Sequence, residues 1–387
     1  MTEAVTIIGA GLGGLTCALA LAREGCRVAV YEQAPQLGEV GAGITLGPNA
    51  SRIMIHLGLE QEMRRLGVIP TVQLTQNLQT GKILLERERG DAVEKQYGAP
   101  YIHLHRADLH SLLANALEVA QPGAIRLGHQ LDHITSDDEW AQLRFTNDVS
   151  IRAGVVIGAD GVKSVIRDRL FATQPPLFTG QVAWRGVLPR AALPDHVQSL
   201  LPGIWIGEKR LFMRYPIRDQ KLVNFVAFVN LEGWEEEGWA IASTREELLG
   251  HYADAEPRLK TMIASTPPKQ LFKWALHARA PLDSWIAGSV TLLGDAAHGM
   301  LPFMGQGAAT ALEDGMVLAR CLAQFPKVDA LRRYEAARRT RTTMVQTQSR
   351  LLGLQFQGKD PESFGQGPIL NEDTLGLFGY DAVNCPI

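Results

Sequence analysis

At 387 residues, with 46% hydrophobic and 20% charged residues, the chain is long enough for two or three domain-sized units and has the balance of a soluble globular protein. A net charge of −3 gives no basis for nucleic acid or an anionic membrane as partner, and no apolar run reaches membrane-spanning length. Cys17, Cys26, Cys321 and Cys385 lack metal-ligand spacing, and strand-like sequence follows Met1-Thr-Glu-Ala at once, so a cytoplasmic protein without a metal site or signal peptide is expected.

The first element is the most informative. Thr6-Ile7-Ile8 is an apolar run that leads into Gly9, Gly11 and Gly14 in G-x-G-x-x-G spacing, and Leu15 to Leu21 then reads as a helix. Gly9 suits a tight turn, Gly11 a close approach of backbone to a pyrophosphate, and Gly14 close helix–strand packing. Arg27 to Tyr31 predicts the next strand, and Glu32 stands at its end, about twenty residues past the glycines, where an acid accepts ribose hydroxyls. A dinucleotide is implied, and FAD and NAD both satisfy the motif. A glycine-rich turn without a ligand is the plainer alternative, which the strand, helix and acid together disfavour.

Pro35 to Asn49 is a glycine-rich loop that either lies against a flat ligand or is a surface connection. Short helices broken at Gly58 follow, and Thr71 to Arg89 predicts a hairpin turning near Thr80-Gly81. Arg106 opens a helix that runs to about Ala120; it either caps and pairs at the surface or clamps a cofactor phosphate or ribose. Ala124 to Leu127, Gln130 to Ser136, Ala141 to Thr146 and Ser150 to Ile157 read as short strands. The last leads into Gly-Ala-Asp160-Gly161, which places Asp160 at the ligand-binding end of a sheet strand or as the cap of the next helix.

From about Pro176 to Trp285, strands at Thr179 to Leu188, Gly203 to Ile206, Leu211 to Pro216 and Lys221 to Val229 lack long crossover helices, so a separate, largely antiparallel substrate sheet is expected. GWEEEGWA, with Trp234 and Trp239, and Arg245 to Tyr252 predict a flanking helical segment. Ser289 to Gly294-Asp295 returns to the first domain, with Asp295 facing ligand or capping a helix. Pro302, Phe303, Gly305, Gly307 and Ala308 then lead into a helix over Ala309 to Gln324, whose N-terminus offers N–H groups to an anion.

Taken together, GAGLGG with Glu32, GEVGAGITLGPNA, HRADL, GADGVKSVIR, YPIRD, LLGDAAHGMLPFMGQGAATALED and YEAARRTRTTMVQTQSR resemble the FAD-dependent aromatic monooxygenases, in particular the salicylate, 3-hydroxybenzoate and 6-hydroxynicotinate hydroxylase branch. The resemblance covers nearly the whole chain. It implies an α/β (α+β) fold like that of p-hydroxybenzoate hydroxylase. A Rossmann-like FAD-binding domain occupies 1–175 and 286–325, a mostly antiparallel substrate sheet is inserted at 176–285, and a helical segment ends the chain at 326–387.

The resemblance further implies Glu32 on the adenosine ribose, Arg106 on pyrophosphate or ribose, and Asp160 beside the flavin and nicotinamide sites. Asp295 would hold the ribityl chain, and Gly305, Gly307 and Ala308 would lie along the flavin pyrimidine edge. Tyr215, Phe303 and Pro302 are the candidate catalytic residues around the substrate. The implied reaction is hydroxylation of a small aromatic or heteroaromatic acid by O2, with NADH or NADPH as transient reductant and a flavin C4a-hydroperoxide as oxygen donor. An oxidase or dehydrogenase on the same scaffold and a non-catalytic flavin protein are the alternatives. One departure stands out. Many members carry His four positions before the Tyr-Pro pair, where this chain has Leu211, so no residue is assigned to deprotonate the substrate. The C-terminal helix and LFGYDA tail are read as a candidate homodimer face.

Overall fold

Val5–Ile8 is buried at every position and has paired strands on both sides, which is why it is a continuous apolar run and not an alternating one. The computed structural model describes residues 4–38, 42–171, 173–231, 233–234, 241–366 and 371–387. Glu39 to Gly41 of the glycine-rich loop and Trp239 of GWEEEGWA lie outside the described residues. The main sheet runs Ile286–Ala287, Val290–Leu292, Val156–Gly158, Val5–Ile8, Val28–Tyr31, Ile125–Arg126, parallel throughout except at the Ile286–Ala287 edge. Four adjacent parallel strands therefore end on one edge. Past their ends stand, in spatial order, Asp295, Asp160, the Gly9–Gly14 loop and Glu32. Helices Leu12–Arg23 and Gly307–Gln324 pack together beside this sheet.

The expected strand Ser150 to Ile157 splits in two. Ser150–Ala153 buries only its last residue and joins Ala141–Phe145 and Leu131–Ser136 in a three-stranded antiparallel layer, whereas the wholly buried Val156–Gly158 enters the main sheet.

The second large sheet has eight strands, in the order Ile241–Ala242, Leu271–Ala278, Leu177–Pro189, Leu222–Asn230, Arg210–Ile217, Gly203–Gly207, Val72–Asn77, Ile83–Glu88. Its pairs are antiparallel except for Gly203–Gly207 against Val72–Asn77, so the early hairpin at 72–88 is part of this sheet. Side chains alternate between its faces. Val182, Trp184, Phe212 and Phe225 pack under helices Arg245–His251 and Pro257–Ala264 through Leu248, Leu259 and Ile263. On the other face Ala183, Leu211, Met213 and Phe228 meet Leu301, Phe303, Leu352 and Phe356, which come from the returning domain and from the long helix Lys327–Phe356.

A buried ionic network joins these parts. Glu313, Asp314 and Arg338 have no exposed side-chain surface, and Arg338 bonds Glu313 and Asp314 at 2.7 Å each. Asp314 also accepts from the Gly294 amide at 3.0 Å and contacts His298 Nε2, while Glu313 takes Arg341 and the Asn49 amide. Burial pushes the Asp314 carboxyl up, but His298 and Arg338 outweigh it and hold the group at about 2, below its ordinary 3.8. Asp314→Asn is expected to cost about 3–5 kcal/mol at neutral pH, because Arg338 and His298 lose a buried counter-charge. A depressed carboxyl adds stability that is complete above its unfolded value and is lost as pH falls through the folded one, so the gap between wild type and variant should narrow as pH falls from about 4 to about 2. Urea unfolding midpoints across that range measure it, and a gap independent of pH would contradict the ionised pair.

Candidate active site

The edge where the parallel strands end is shaped for a dinucleotide. Gly9 has φ +105°, and a Cβ there would sit 2.3 Å from the Ala159 carbonyl oxygen; a Cβ on Gly14 would meet the Gly9 oxygen at 2.2 Å. Those two glycines are demanded by protein packing. Gly11 is not, because a Cβ there meets nothing within 4 Å, so open space lies in front of it, as a pyrophosphate approaching the helix N-terminus requires. Glu32 is half-buried and accepts from the Ala10 amide at 2.8 Å and the Ala34 amide at 2.9 Å. One carboxylate thus holds the turn and keeps lone pairs for a hydroxyl.

The two aspartates differ. Asp160 accepts from the Ser164 hydroxyl at 2.6 Å and the Ile166 amide at 3.1 Å, so it braces the helix Val165–Leu170, and its carboxyl is raised by burial. Asp295 is exposed, the helix Asp295–His298 has no side-chain cap, and the carboxylate bonds no described residue. Its position beside Asp160 on the ligand edge leaves it facing outward. Arg106 is exposed at the first position of Arg106–Ala120, and its amide is tied to the Ala42 carbonyl. Gly305 (φ +63°) likewise faces open space, and Gly307 and Ala308 form the first turn of Gly307–Gln324. Gln306 accepts from Asn49 at 3.0 Å, which fixes this helix entry to the 48–56 helix.

A cavity lies between Gly305–Gln306 and the inner face of the eight-stranded sheet. Ile204, Met213, Phe303, Met304, Leu352 and Phe356 give it apolar walls. Phe303 stacks at a tilt on Phe228 with centroids 5.1 Å apart, and it fits only because Gly353 of the long helix has no Cβ, which would lie 2.4 Å from the ring. Pro302 opens the short turn Pro302–Met304 and is not among the lining residues. Leu211 is fully buried in the apolar cluster with Phe228 and Phe303.

The polar end of the cavity is built by a two-stranded ladder, Gly43–Leu46 with Ile102–His105, in which Thr45 is directly opposite His103. Tyr215 packs on this ladder: a Cβ on Gly43 would be 2.4 Å from its ring, and His103 stacks on it at 4.6 Å. Burial pushes both the Tyr215 and Tyr101 phenols up. Arg214 borders the cavity by its place on the strand, but its side chain follows Phe212 onto the helix-covered face, where it donates to the Leu200 carbonyl; burial, with Arg190 adding to it, lowers the guanidinium to about 10. Arg87 and Arg89 are instead taken up by Glu372.

Sequence reasoning brought Tyr215 and Phe303 to this cavity and missed His103, Thr45, Arg214, Leu352 and the tail residues Glu372 and Phe378. The strand Gly43–Leu46 sits inside a glycine-rich stretch read as loop, so its cross-strand pairing with His103 had no local signal. Leu377 and Phe378 of the tail are buried against Val93, Tyr101 and Val345 of the same chain.

Gly11→Val and Asp295→Ala are expected to fold as stably as wild type yet retain little FAD, because neither site has a protein partner to lose; Gly14→Val should fail to fold. Thermal unfolding of the apoproteins and flavin absorbance after purification separate the two effects. A Gly11→Val protein that stays stoichiometrically yellow would place the pyrophosphate elsewhere.

Residues 2–349 match the FAD binding domain family. The chain is 34% identical to 6-hydroxynicotinate 3-monooxygenase of Pseudomonas fluorescens over 99% of its own length and 96% of the relative's, and 33% identical to 3-hydroxybenzoate 6-hydroxylase of Polaromonas naphthalenivorans over 98% and 97%. Its fold superposes on a salicylate hydroxylase substrate complex with a TM-score of 0.83 at 27% identity, covering 98% of this chain and 95% of the other. With a ligand edge open at Gly11 and Asp295 and a cavity with apolar walls and a polar end beside it, the chain belongs to the FAD binding domain family, among the FAD-dependent aromatic monooxygenases.

Proposed function

We propose that this enzyme hydroxylates a small aromatic or heteroaromatic acid bearing a ring hydroxyl, using O2 and a reduced nicotinamide. When bound, FAD supplies the chemistry of two-electron reduction and oxygen activation. The chain's own residues do the rest. Glu32 takes the adenosine ribose, the Gly11 turn the pyrophosphate and Asp295 the ribityl chain, with Arg106 at the phosphate side. Asp160 acts by bracing the loop between them. The amides of Gly307 and Ala308 face the flavin's pyrimidine edge, where a helix N-terminus favours negative charge.

The observation that carries the substrate reading is the division of the cavity into apolar walls and a polar end at Tyr101, His103 and Tyr215, which suits a ring bearing a hydroxyl. The acid is supported by relatives that carry the names of hydroxynicotinate and hydroxybenzoate hydroxylases. Apolar walls at Met213, Phe303 and Leu352 hold the ring and keep out water. Four free cysteines and the lack, among the described residues, of any helix long and apolar enough to cross a membrane support a cytoplasmic setting.

Hydroxybenzoates and hydroxynicotinates supplied with NADH or NADPH should give a product heavier by one oxygen atom. Phe303→Ala, which opens the apolar wall to water, should lower the product formed per O2 consumed and raise peroxide release. Mass spectrometry of product with parallel O2 uptake tests both. Peroxide formed without any oxygenated product would instead support an oxidase.

A further inference from the structure

A ring hydroxyl that feeds electrons into electrophilic attack must lose its proton to something. Leu211 is fully buried in an apolar cluster, does not line the cavity and offers nothing. Among the described residues, the titratable groups lining the cavity are Arg87, Tyr101, His103, Arg214, Tyr215 and Glu372. The arginines are donors only. Glu372 is held by Arg87 and Arg89 at 3.1 and 2.8 Å. The two tyrosines are kept protonated by burial.

His103 is what remains. It is 2% exposed, stacked on Tyr215, and edge-on to Tyr101 at 5.4 Å. Its Nδ1 is 3.1 Å from the Thr45 hydroxyl across the ladder, and its buried Nε2 has no hydrogen-bond partner. A buried ring nitrogen without a partner costs stability in the free protein unless a ligand completes it. Burial, with Arg89 and Arg214 adding to it, lowers the imidazole to about 3, so it is neutral before substrate arrives.

We propose that His103 is a catalytic residue whose Nε2 accepts the ring-hydroxyl proton of the substrate during oxygen transfer, with Thr45 holding Nδ1–H as the donor tautomer. The inference rests on the aromatic-hydroxylase reading above. The substrate O–H bond breaks and an Nε2–H bond forms. The electron pair left on oxygen becomes a ring C=O, and a ring π pair bonds the electrophilic oxygen derived from O2 as its O–O bond breaks. The other oxygen takes that bond's pair and leaves as water, at the expense of the two electrons supplied by the reduced nicotinamide. A hydroxyl on a ring under attack is far more acidic than a resting phenol, so a weakly basic imidazole suffices. The attacked carbon then releases its hydrogen as a proton, Nε2 returns its own to the same oxygen, and the ring is aromatic again.

The test uses the FAD-loaded enzyme with 6-hydroxynicotinate, 3-hydroxybenzoate and salicylate, each beside its O-methyl ether, which cannot donate. Dissociation constants come from perturbation of the flavin spectrum, and coupling from product formed per nicotinamide oxidised. The wild type should bind a hydroxy acid about 10-fold more tightly than the ether, the worth of one hydrogen bond. His103→Phe, which keeps the stack on Tyr215, should lose that preference. His103→Gln, whose amide reaches the Nε2 position, should recover the preference but still form little product, because an amide does not take the proton. Retention of both preference and coupling in His103→Phe overturns the proposal, as does full coupling in His103→Gln. If the wild type binds none of the acids, the functional reading itself has failed, a pattern distinct from a wild type that discriminates and a His103→Phe that discriminates equally.

Discussion

Arg338 between Asp314 and Glu313 is the contact on which the ligand-facing parts of this protein depend. All three side chains are without exposure, so the cost of desolvating them is met only by close pairing and by filling the remaining lone pairs. Those lone pairs are filled by the site itself. Asp314 takes the Gly294 amide and His298, fixing the loop that carries Asp295. Glu313 takes Asn49, which in turn holds Gln306 at the entry of the helix Gly307–Gln324. A single cluster thereby sets the position of loops more than two hundred residues apart in sequence.

The same helix that brings Arg338 inward continues to Phe356 and forms a wall of the cavity. Arg338 and Arg341 are covered by the Tyr380 ring at 5.0 and 4.0 Å, so the C-terminal tail is fastened to the network as well. Phe378 and Glu372 then reach the cavity from that tail, with Glu372 neutralising Arg87 and Arg89. The two arginines thus share a single carboxylate at the polar end of the cavity.

Much of the cofactor side was legible from sequence because it depends on short-range geometry. Gly9, Gly11, Gly14 and Glu32 lie within one strand–helix–strand unit, and their spacing is dictated by backbone approach. Asp160 and Asp295 were legible only as strand ends, and the structure separates them, the first engaged in bracing a helix and the second free. The substrate side was less legible. His103 and Thr45 become neighbours through a ladder formed by segments nearly sixty residues apart, and Tyr215 joins them from another sheet. Asp314 and Arg338, charged residues on helices, look like solvated faces until the helices are packed. The division of Ser150 to Ile157 between two sheets follows the same rule, since burial on one face or two is decided by neighbours distant in sequence.

The central claim is that a hydroxylated ring acid lies between the inner face of the eight-stranded sheet and the Gly305–Gln306 turn. A crystal structure of the FAD-loaded enzyme with 3-hydroxybenzoate or 6-hydroxynicotinate, whichever is turned over, tests it most directly. The account predicts ring density against Met213 and Phe303 and the hydroxyl within hydrogen-bond distance of His103 Nε2. Ring density on the opposite face of that sheet, among Trp184, Phe212 and Phe225, or the acid bound outside the cavity, would contradict it.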